Sequence, residues 1–294
     1  MLPVLKFGGT SVGSAQRIKD LVKLVNQPQP VMVVLSAMSG TTNALVQICD
    51  ALYAKENQRA QELITALKDR YNAVIKELYS KENSLRKGQE LIDNHFTHIA
   101  SFTLDMFTAN EEKAILAQGE LLSTALFHYY LEESGIDSVL LPALNFMKID
   151  ANDEPDLPYI EKYLKAELDK HPKSKLFITQ GYICRNAFGE IDNLKRGGSD
   201  YSASIIGAVL NSPEVQIWTD IDGMHNNDPR IVNNTTPVNE LSFDEAAELA
   251  YFGAKILHPT CILPAKKKNI PVRLKNPMEP SAEGNIIAQV NTQP

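Results

Sequence analysis

Short runs of strand-forming residues recur along this 294-residue chain, and longer stretches with helical spacing separate them. Several of these runs are apolar without alternation, which is typical of strands that are buried on both faces of a parallel sheet. The alternation of strands and helices predicts an α/β fold, a three-layer sandwich with a mostly parallel central sheet. We predict strands at 4–7, 31–35, 138–141, 176–179, 215–219 and 272–274, and helices at 14–26, 42–56, 111–134, 155–169, 200–211 and 242–253.

Two segments depart from this alternation. Residues 182–194 contain two short runs on either side of Asn186-Ala187-Phe188-Gly189, which predicts a β-hairpin that projects from the sheet. Residues 57–110 are polar, lack proline and repeat leucine and valine at helical spacing, which predicts two or three long helices on one side. We interpret this second segment as a solvated helical covering or a dimer surface, and we expect no function there.

The overall charge and composition limit the class of protein. The formal net charge is −7, which gives little support for a nucleic-acid-binding surface, since such surfaces are usually basic. The three cysteines are far apart in the sequence and indicate neither a disulfide framework nor a zinc site. No apolar stretch approaches the length of a membrane span. We therefore expect a cytoplasmic protein without nucleic-acid or membrane partners.

A lysine and a glycine pair lie at the end of the first predicted strand. Lys6 precedes Gly8 and Gly9, and a predicted helix follows them. Glycines let backbone N–H groups approach a phosphate, and the start of a helix favours negative charge. A cation on an apolar strand is costly unless it meets an anion. The segment matches neither the P-loop nor the Gly-x-Gly-x-x-Gly motif. We nevertheless predict a phosphate contact here, and a simple tight turn is the alternative.

A second cluster, Arg196-Gly197-Gly198-Ser199-Asp200, lies between the hairpin and the next helix. An arginine beside two glycines and a helix start can bind a carboxylate or a phosphate. The alternative interpretation is that Ser199 or Asp200 only caps the helix. We favour ligand binding.

Three further clusters follow later in the chain, and each is an ordinary turn when taken alone. Together with the first two clusters they supply two lysines, two arginines, an acidic residue and several glycine turns, which is the equipment that phosphoryl transfer requires. The three clusters are Trp218-Thr219-Asp220-Ile221-Asp222-Gly223, Asp228-Pro229-Arg230 and Gly253-Ala254-Lys255.

Four blocks of this sequence resemble the signature sequences of aspartate kinases, in that family's order and at its spacings. The resemblance covers residues 2–290 and implies an amino acid kinase fold that uses ATP and Mg²⁺ to phosphorylate the side-chain carboxylate of L-aspartate. It also implies an aspartate-binding lobe at about 1–205 and a nucleotide-binding lobe at about 206–290. The four blocks are Lys6-Phe7-Gly8-Gly9-Thr10-Ser11-Val12, Arg196-Gly197-Gly198-Ser199-Asp200-Tyr201, Trp218-Thr219-Asp220 and Phe252-Gly253-Ala254-Lys255-Ile256-Leu257-His258-Pro259.

The resemblance also implies a role for each matching residue. Lys6 and Lys255 would stabilise the charge on the transferred phosphoryl group, and Asp200 would orient them and approach the magnesium. Arg196 would pair with a carboxylate of aspartate, and Glu120 would accept its ammonium group. The implied substrate-binding residues are Thr42, Glu120, Arg196, Gly197, Gly198 and Ser199. The implied nucleotide-binding residues are Lys6, Gly8, Gly9, Thr219, Asp220, His225, Arg230 and Lys255.

The chain departs from the family pattern at three places. Lys195 stands where the family often has glycine, and His225-Asn226-Asn227 replaces a more usual Tyr-Thr-Thr. The chain stops at Pro294, whereas most members continue into paired ACT domains. We therefore expect either a catalytic fragment, cut from a chain with ACT or homoserine dehydrogenase domains, or a form that lysine and threonine do not inhibit. Whether the protein is a homo-oligomer is left open.

Three alternatives remain at this point. A non-catalytic amino acid or nucleotide sensor on the same fold would have lost phosphate-handling residues, yet Lys6, Asp200 and Lys255 are present. A sibling amino acid kinase would phosphorylate another acceptor. A nicotinamide-dependent dehydrogenase is suggested only by the α/β alternation, and the absence of Gly-x-Gly-x-x-Gly counts against it.

Overall fold

The computed structural model describes residues 1–195, 197–220, 239–251 and 257–289. In these residues, eight strands form one sheet and two more form a separate hairpin. The strands are β1 (Val4–Phe7), β2 (Val31–Leu35), β3 (Val139–Leu141), β4 (Leu176–Gln180), β5 (Ile183–Arg185), β6 (Ile191–Asn193), β7 (Val215–Trp218), β8 (Glu240–Ser242), β9 (Val272–Lys275) and β10 (Asn285–Ala288).

Ten α-helices lie in the same described residues, most of them between consecutive strands. Several short 3-10 turns accompany them. The helices are α1 (Ala15–Val25), α2 (Thr41–Tyr53), α3 (Asn57–Leu78), α4 (Glu82–Ser101), α5 (Ala109–Leu116), α6 (Gln118–Glu133), α7 (Leu157–Asp169), α8 (Gly198–Leu210), α9 (Phe243–Tyr251) and α10 (Leu263–Lys267). None of the helices in the described part of the chain is long and apolar enough to cross a membrane.

The strand order in the large sheet is β3-β4-β2-β1-β7-β9-β10-β8. The first six strands in this order are parallel, and β10 is antiparallel to β9 and parallel to β8. After β1 the chain forms β2 on one side of that strand. After β4 it crosses to the opposite side of β1, where it forms β7. In an open α/β sheet, such a reversal leaves a crevice at the carboxyl ends of the strands, where ligands bind.

Helices cover both faces of this sheet. Leu5 and Phe7 of β1 belong to an apolar cluster that includes α1 through α6, whereas Val4 belongs to a second cluster that includes α7, α8 and α10. This division follows from the two-residue period of a strand, which sends neighbouring side chains to opposite faces. The predicted three-layer α/β sandwich with a mostly parallel sheet is confirmed.

The predicted elements agree with the structure in most places. The six predicted strands, the hairpin at 182–194 and the long helices within 57–110 are confirmed, with small shifts of the boundaries. The predicted single helix over 111–134 is wrong, because α5 and α6 meet at Ala117. There the side-chain amide of Gln118 donates to the carbonyl oxygen of Ala114 at 2.9 Å, the acceptor that an uninterrupted helix would offer to a backbone N–H.

Candidate active site

The carboxyl ends of four parallel strands lie side by side. Phe7 of β1 is in register with Leu35 of β2 and with Trp218 of β7, and Leu35 is in register with Gln180 of β4. The loops that follow these strands therefore leave the sheet at one edge. This edge brings the first glycine cluster, the segment after β2 and the segment before α8 into one region.

The segment after β2, residues 36–40, packs closely against glycines of two other elements. An ideal Cβ on Gly9 would lie 2.9 Å from the carbonyl oxygen of Ala37, and one on Gly119 would lie 2.8 Å from the Cβ of Ala37. The backbone N–H of Ser39 also donates to the carbonyl oxygen of Gly9 at 3.1 Å. The glycines at 9 and 119 are thus needed for close approach, which fixes the position of this segment.

A cleft of about 300 Å³ opens beside this segment. Its size suits a small polar metabolite. It is bounded by the first glycine cluster, the start of α2, the start of α6, the start of α8 and the residue before β5. Its lining residues are Gly9, Ser36, Ala37, Met38, Ser39, Gly40, Thr42, Glu120, Tyr182, Gly198 and Ser199.

Glu120 is the acidic residue of this cleft, and only 3% of its surface is exposed. One carboxylate oxygen accepts a 3.3 Å hydrogen bond from the backbone N–H of Ala37, while the other oxygen, Oε2, is buried without a hydrogen-bond partner among the described residues. Burial raises the pKa of Glu120 to about 8, against the smaller opposing effect of backbone hydrogen bonds. Such an orphaned acceptor is a suitable partner for a cationic ligand group.

The start of α8 closes the other side of the cleft. The hydroxyl of Ser36 donates to the Oγ of Ser199 at 2.8 Å, across 163 positions of sequence. An ideal Cβ on Gly181 would lie 2.3 Å from that Oγ, so only glycine permits this approach. Gly197 is the N-cap of α8, has a φ of +66° and packs against the thiol of Cys261.

The structure rejects the capping interpretation of Ser199 and Asp200. Both residues lie inside the first turn of α8, and the N-cap residue makes no side-chain capping hydrogen bond. Their side chains are therefore directed to other groups at this edge of the sheet. Ser199 contacts Ser36, and Asp200 contacts Lys6.

Lys6 and Asp200 form an ion pair beside the cleft. The Nζ of Lys6 lies 2.8 Å from the Oδ1 of Asp200, and the side chains are 12% and 20% exposed. Apart from this ion pair, the buried Oδ1 has no hydrogen-bond partner among the described residues. The same ammonium lies 3.5 Å from the position that a Cβ on Gly8 would take. Because Gly8 has no side chain, the ammonium of Lys6 lies next to accessible backbone of the first glycine cluster.

The end of β7 lies next to this ion pair in the sheet. The rings of Phe7 and Trp218 stack with centroids 5.5 Å apart, and the ammonium of Lys275 lies 4.9 Å from the centre of the Trp218 ring. The backbone N–H of Thr219 donates to the carbonyl oxygen of Lys275 at 2.8 Å, and Asp220 follows with an exposed side chain. Both predicted nucleotide residues therefore start from the strand next to Lys6.

The predicted site residues fall into three groups. Thr42, Glu120, Gly198, Ser199 and Gly9 line the cleft. Lys6, Gly8 and Asp200 lie beside it, Gly197 begins α8, and Thr219 and Asp220 follow the neighbouring strand. Arg196, His225, Arg230 and Lys255 lie outside the described residues.

Lys195, the first departure from the family pattern, is not among the residues that line the cleft. Its exposed ammonium forms an ion pair with Asp153, and both side chains are about half exposed. This residue is therefore a solvated cation and adds nothing to the cleft that the structure describes.

Sequence reasoning missed several residues of the cleft wall, above all Ser36 and Tyr182. Ser36 directly follows β2, and Tyr182 directly precedes β5 with a φ of +69°. Their positions next to predicted strands were a usable signal, because the carboxyl ends of parallel strands share one edge. No cluster of three or more His, Cys, Asp or Glu that could hold a metal ion occurs within the described ranges.

Comparison with known proteins identifies the family. A model of the amino acid kinase family matches residues 1–276. This chain belongs to the amino acid kinase family. The chain is 35% identical to aspartokinase 1, chloroplastic, of Arabidopsis thaliana, where the match covers 97% of this chain and 52% of the relative. It is 32% identical to lysine-sensitive aspartokinase 3 of Escherichia coli K12, with 99% and 65% covered.

Solved structures agree with this assignment. The structure of E. coli aspartokinase III in complex with aspartate and ADP matches with a TM-score of 0.87 at 31% identity, and covers 100% of this chain and 66% of that one. A UMP kinase from Ureaplasma parvum has a TM-score of 0.52 at 14% identity, which supports the fold alone. The chain thus spans between half and two thirds of the length of these two aspartokinases and of the E. coli structure.

Proposed function

We propose that this chain is the catalytic part of an aspartate kinase. It transfers the γ-phosphoryl group of ATP to the side-chain carboxylate of L-aspartate and produces 4-phospho-L-aspartate. Support comes from the 31–35% identity to aspartokinases and from the E. coli relative whose structure contains aspartate and ADP. As a first committed step, this reaction would serve lysine, threonine and methionine biosynthesis.

The observation that carries the proposal is the buried carboxylate of Glu120. With its pKa raised to about 8, this carboxyl group is mostly protonated in the ligand-free cleft at neutral pH, and it would ionise when a cation binds beside its unpaired oxygen. The described lining residues of the cleft supply no such cation. The remaining lining groups are hydroxyls, glycine backbone and the first turns of α2 and α8, which favour anions. A ligand with an ammonium group and carboxylates, such as L-aspartate, satisfies both requirements. In this proposal Arg196, Gly197, Gly198 and Ser199 hold the acceptor carboxylates, together with Thr42.

The ion pair of Lys6 and Asp200 would serve the phosphoryl transfer. The attacking carboxylate is already an anion at neutral pH, so no general base is required. The difficulty is repulsion between two anions, and a fixed ammonium reduces it most where charge develops. We assign this role to Lys6 and Lys255, with Asp200 as the group that orients Lys6. Gly8, Gly9, Thr219, Asp220, His225 and Arg230 are proposed nucleotide contacts.

A magnesium ion fits this arrangement through one protein carboxylate. Mg²⁺ in such enzymes binds substrate phosphates and only one or two carboxylates, so a dedicated protein cage is not needed. Asp200 is the residue that would hold it, since its carboxylate lies beside the cleft and its side chain is 20% exposed. Bound there with ATP, the ion would neutralise charge on the phosphates.

These positions support the proposed aspartate-binding and nucleotide-binding lobes. The described cleft residues all lie before position 200, in the proposed aspartate-binding lobe of about 1–205. Thr219 and Asp220 fall in the proposed nucleotide-binding lobe of about 206–290. Bifunctional aspartokinase/homoserine dehydrogenase 2 of Arabidopsis thaliana is 31% identical, and this chain covers 32% of it. We propose that this chain corresponds to the kinase portion of such longer proteins.

The test is an acceptor assay with purified chain and MgATP. Hydroxylamine traps an acyl phosphate, so L-aspartate should give a coloured hydroxamate and a matching amount of ADP. L-glutamate, N-acetylglutamate and UMP serve as competing acceptors. Turnover of one of these without turnover of L-aspartate would assign the chain to a sibling kinase instead. ATP binding without any transfer would favour the sensor alternative.

A further inference from the structure

A side chain from the helical covering reaches the wall of the cleft. Arg70 lies on α3, and its Nη2 donates a 2.6 Å hydrogen bond to the carbonyl oxygen of Ser39. Ser39 and the next residue, Gly40, both line the cleft. The segment 57–110, for which the sequence predicted no function, therefore touches the site through a charged, directional contact.

The turn that Arg70 contacts has no side-chain cap of its own. Gly40 is the N-cap of α2, has a φ of +82° and provides no side chain to cap the helix. An N-cap side chain normally satisfies one of the free N–H groups in the first turn and so defines where the helix begins. Here the guanidinium packs over the turn, since an ideal Cβ on Gly40 would lie 3.1 Å from Nη1 of Arg70.

The neighbouring residue of α3 holds the other side of the same turn. The hydroxyls of Tyr71 and Thr41 are 2.8 Å apart, and both residues are fully buried. Burial raises the pKa of Tyr71 to about 12, so its hydroxyl keeps its proton at physiological pH. Two consecutive residues of α3 thus hold the backbone at Ser39 and the first residue of α2.

These contacts bear on the acceptor side of the cleft. Thr42 lies in the first turn of α2 and faces the same cleft as Glu120. The first-turn N–H groups of α2 carry partial positive charge, and small displacements of such groups weaken their interaction with a bound anion. Backbone contacts with Gly9 hold Ser39 on one side, and Arg70 adds a charged hydrogen bond to the same residue from outside the cleft.

We propose that Arg70 is a positioning residue for acceptor binding, because it ties α3 to the Ser39–Gly40 turn and thereby fixes Thr42 and the start of α2. The inference rests on the proposed function as far as the acceptor is concerned. Arg70 itself is not a lining residue of the cleft, so it acts through the turn.

The kinetic test compares Arg70→Ala, Arg70→Lys and a control, Arg86→Ala. Arg86 lies on α4 and forms an exposed i,i+4 ion pair with Glu90, so its removal changes charge without touching the cleft. We expect Arg70→Ala to raise KM for L-aspartate about tenfold, as for a lost charged hydrogen bond. Arg70→Lys should recover part of this, while KM for ATP stays unchanged in all three. An unchanged KM for L-aspartate in Arg70→Ala would overturn the inference.

A second measurement needs no substrate. Hydrogen exchange of the ligand-free protein should be faster at residues 39–44 in Arg70→Ala than in the unmodified chain, and unchanged there in Arg86→Ala. Unchanged exchange in Arg70→Ala would overturn the positioning role even if the chain proves to be an aspartate kinase. Should the unmodified chain fail to phosphorylate L-aspartate, the proposed function fails, and exchange alone then decides whether Arg70 fixes this turn.

Discussion

Two carboxylates at the carboxyl edge of the sheet have opposite surroundings. Asp200 is partly exposed and has the ammonium of Lys6 at 2.8 Å. Glu120 is 3% exposed, has one oxygen without a partner and has a pKa raised to about 8 by burial. The first carboxylate is already paired within the protein, and the second is left for a ligand.

The contrast assigns a different task to each half of the site. A paired carboxylate holds a lysine in a defined place, which suits transition-state stabilisation. An unpaired buried carboxyl group stays protonated in the free protein at neutral pH because its ionisation is costly there, and a ligand that supplies the missing cation lowers that cost on binding. In the proposed function, the Lys6–Asp200 side of the site would therefore be preorganised for phosphoryl transfer, whereas the Glu120 side would select an acceptor with a cationic group.

The largest effect on catalysis is expected at the ion pair of Lys6 and Asp200. Lys6→Met should lower kcat by about 10²–10³-fold, the range for loss of one preorganised electrostatic group. KM for L-aspartate should change much less, because Lys6 does not line the acceptor cleft. Steady-state kinetics with both substrates measures this split. Lys195→Met is the matched control, since Lys195 pairs with exposed Asp153, and equal losses in both variants would contradict the role of Lys6.

The next largest effect is expected at Glu120, on the binding of L-aspartate. Glu120→Gln keeps the shape of the side chain but removes the charge that would meet the ammonium group. We expect KM for L-aspartate to rise by about 10- to 100-fold, as for loss of a charged hydrogen bond. Kinetics or calorimetric titration with L-aspartate measures it, with ATP affinity as the internal control. An unchanged affinity for L-aspartate would mean that the ammonium group binds elsewhere.

Sequence patterns were informative wherever the signal was local. Consecutive apolar residues identified the buried strands, and the resemblance to aspartate kinases implied a role for Glu120. Lys6 was recognisable because a cation at the end of an apolar strand needs an anion. Each of these cues lies within a few residues of the group that it identifies.

The remaining features depend on contacts between distant parts of the chain. Ser36 pairs with Ser199 across 163 positions, and the contact exists only because Gly181 leaves room for it. Arg70 looks like any solvated helix arginine in the sequence, and its partner is a backbone carbonyl, which has no sequence signature. Packing of this kind is set by the assembled fold, so patterns along the chain do not reveal it.

Glu120 also predicts a pH dependence of stability. Its folded pKa of about 8 lies above the ordinary value of 4.5, so the folded protein retains a proton that the unfolded chain releases. The stabilising contribution is fully present below pH 4.5 and is lost as the pH rises towards 8. Relative to Glu120→Gln, the ligand-free protein should lose about 1.4 kcal/mol per pH unit within this window. Urea unfolding of both proteins at several pH values measures it, and parallel profiles would contradict the raised pKa.

The smallest effect concerns the packing that shapes the acceptor wall. Gly119→Ala would normally stabilise a helix, but here the new Cβ would lie 2.8 Å from the Cβ of Ala37. We expect a loss of about 1–3 kcal/mol from overpacking, together with a higher KM for L-aspartate. Gly88→Ala is the control, because its Cβ would meet the ring of Tyr79 at 2.7 Å, and neither residue lines the cleft. Both variants should lower the free energy of unfolding, while only Gly119→Ala should weaken acceptor binding. Equal KM values in the two variants would show that the wall tolerates displacement, and the acceptor half would then owe its selectivity to charge alone.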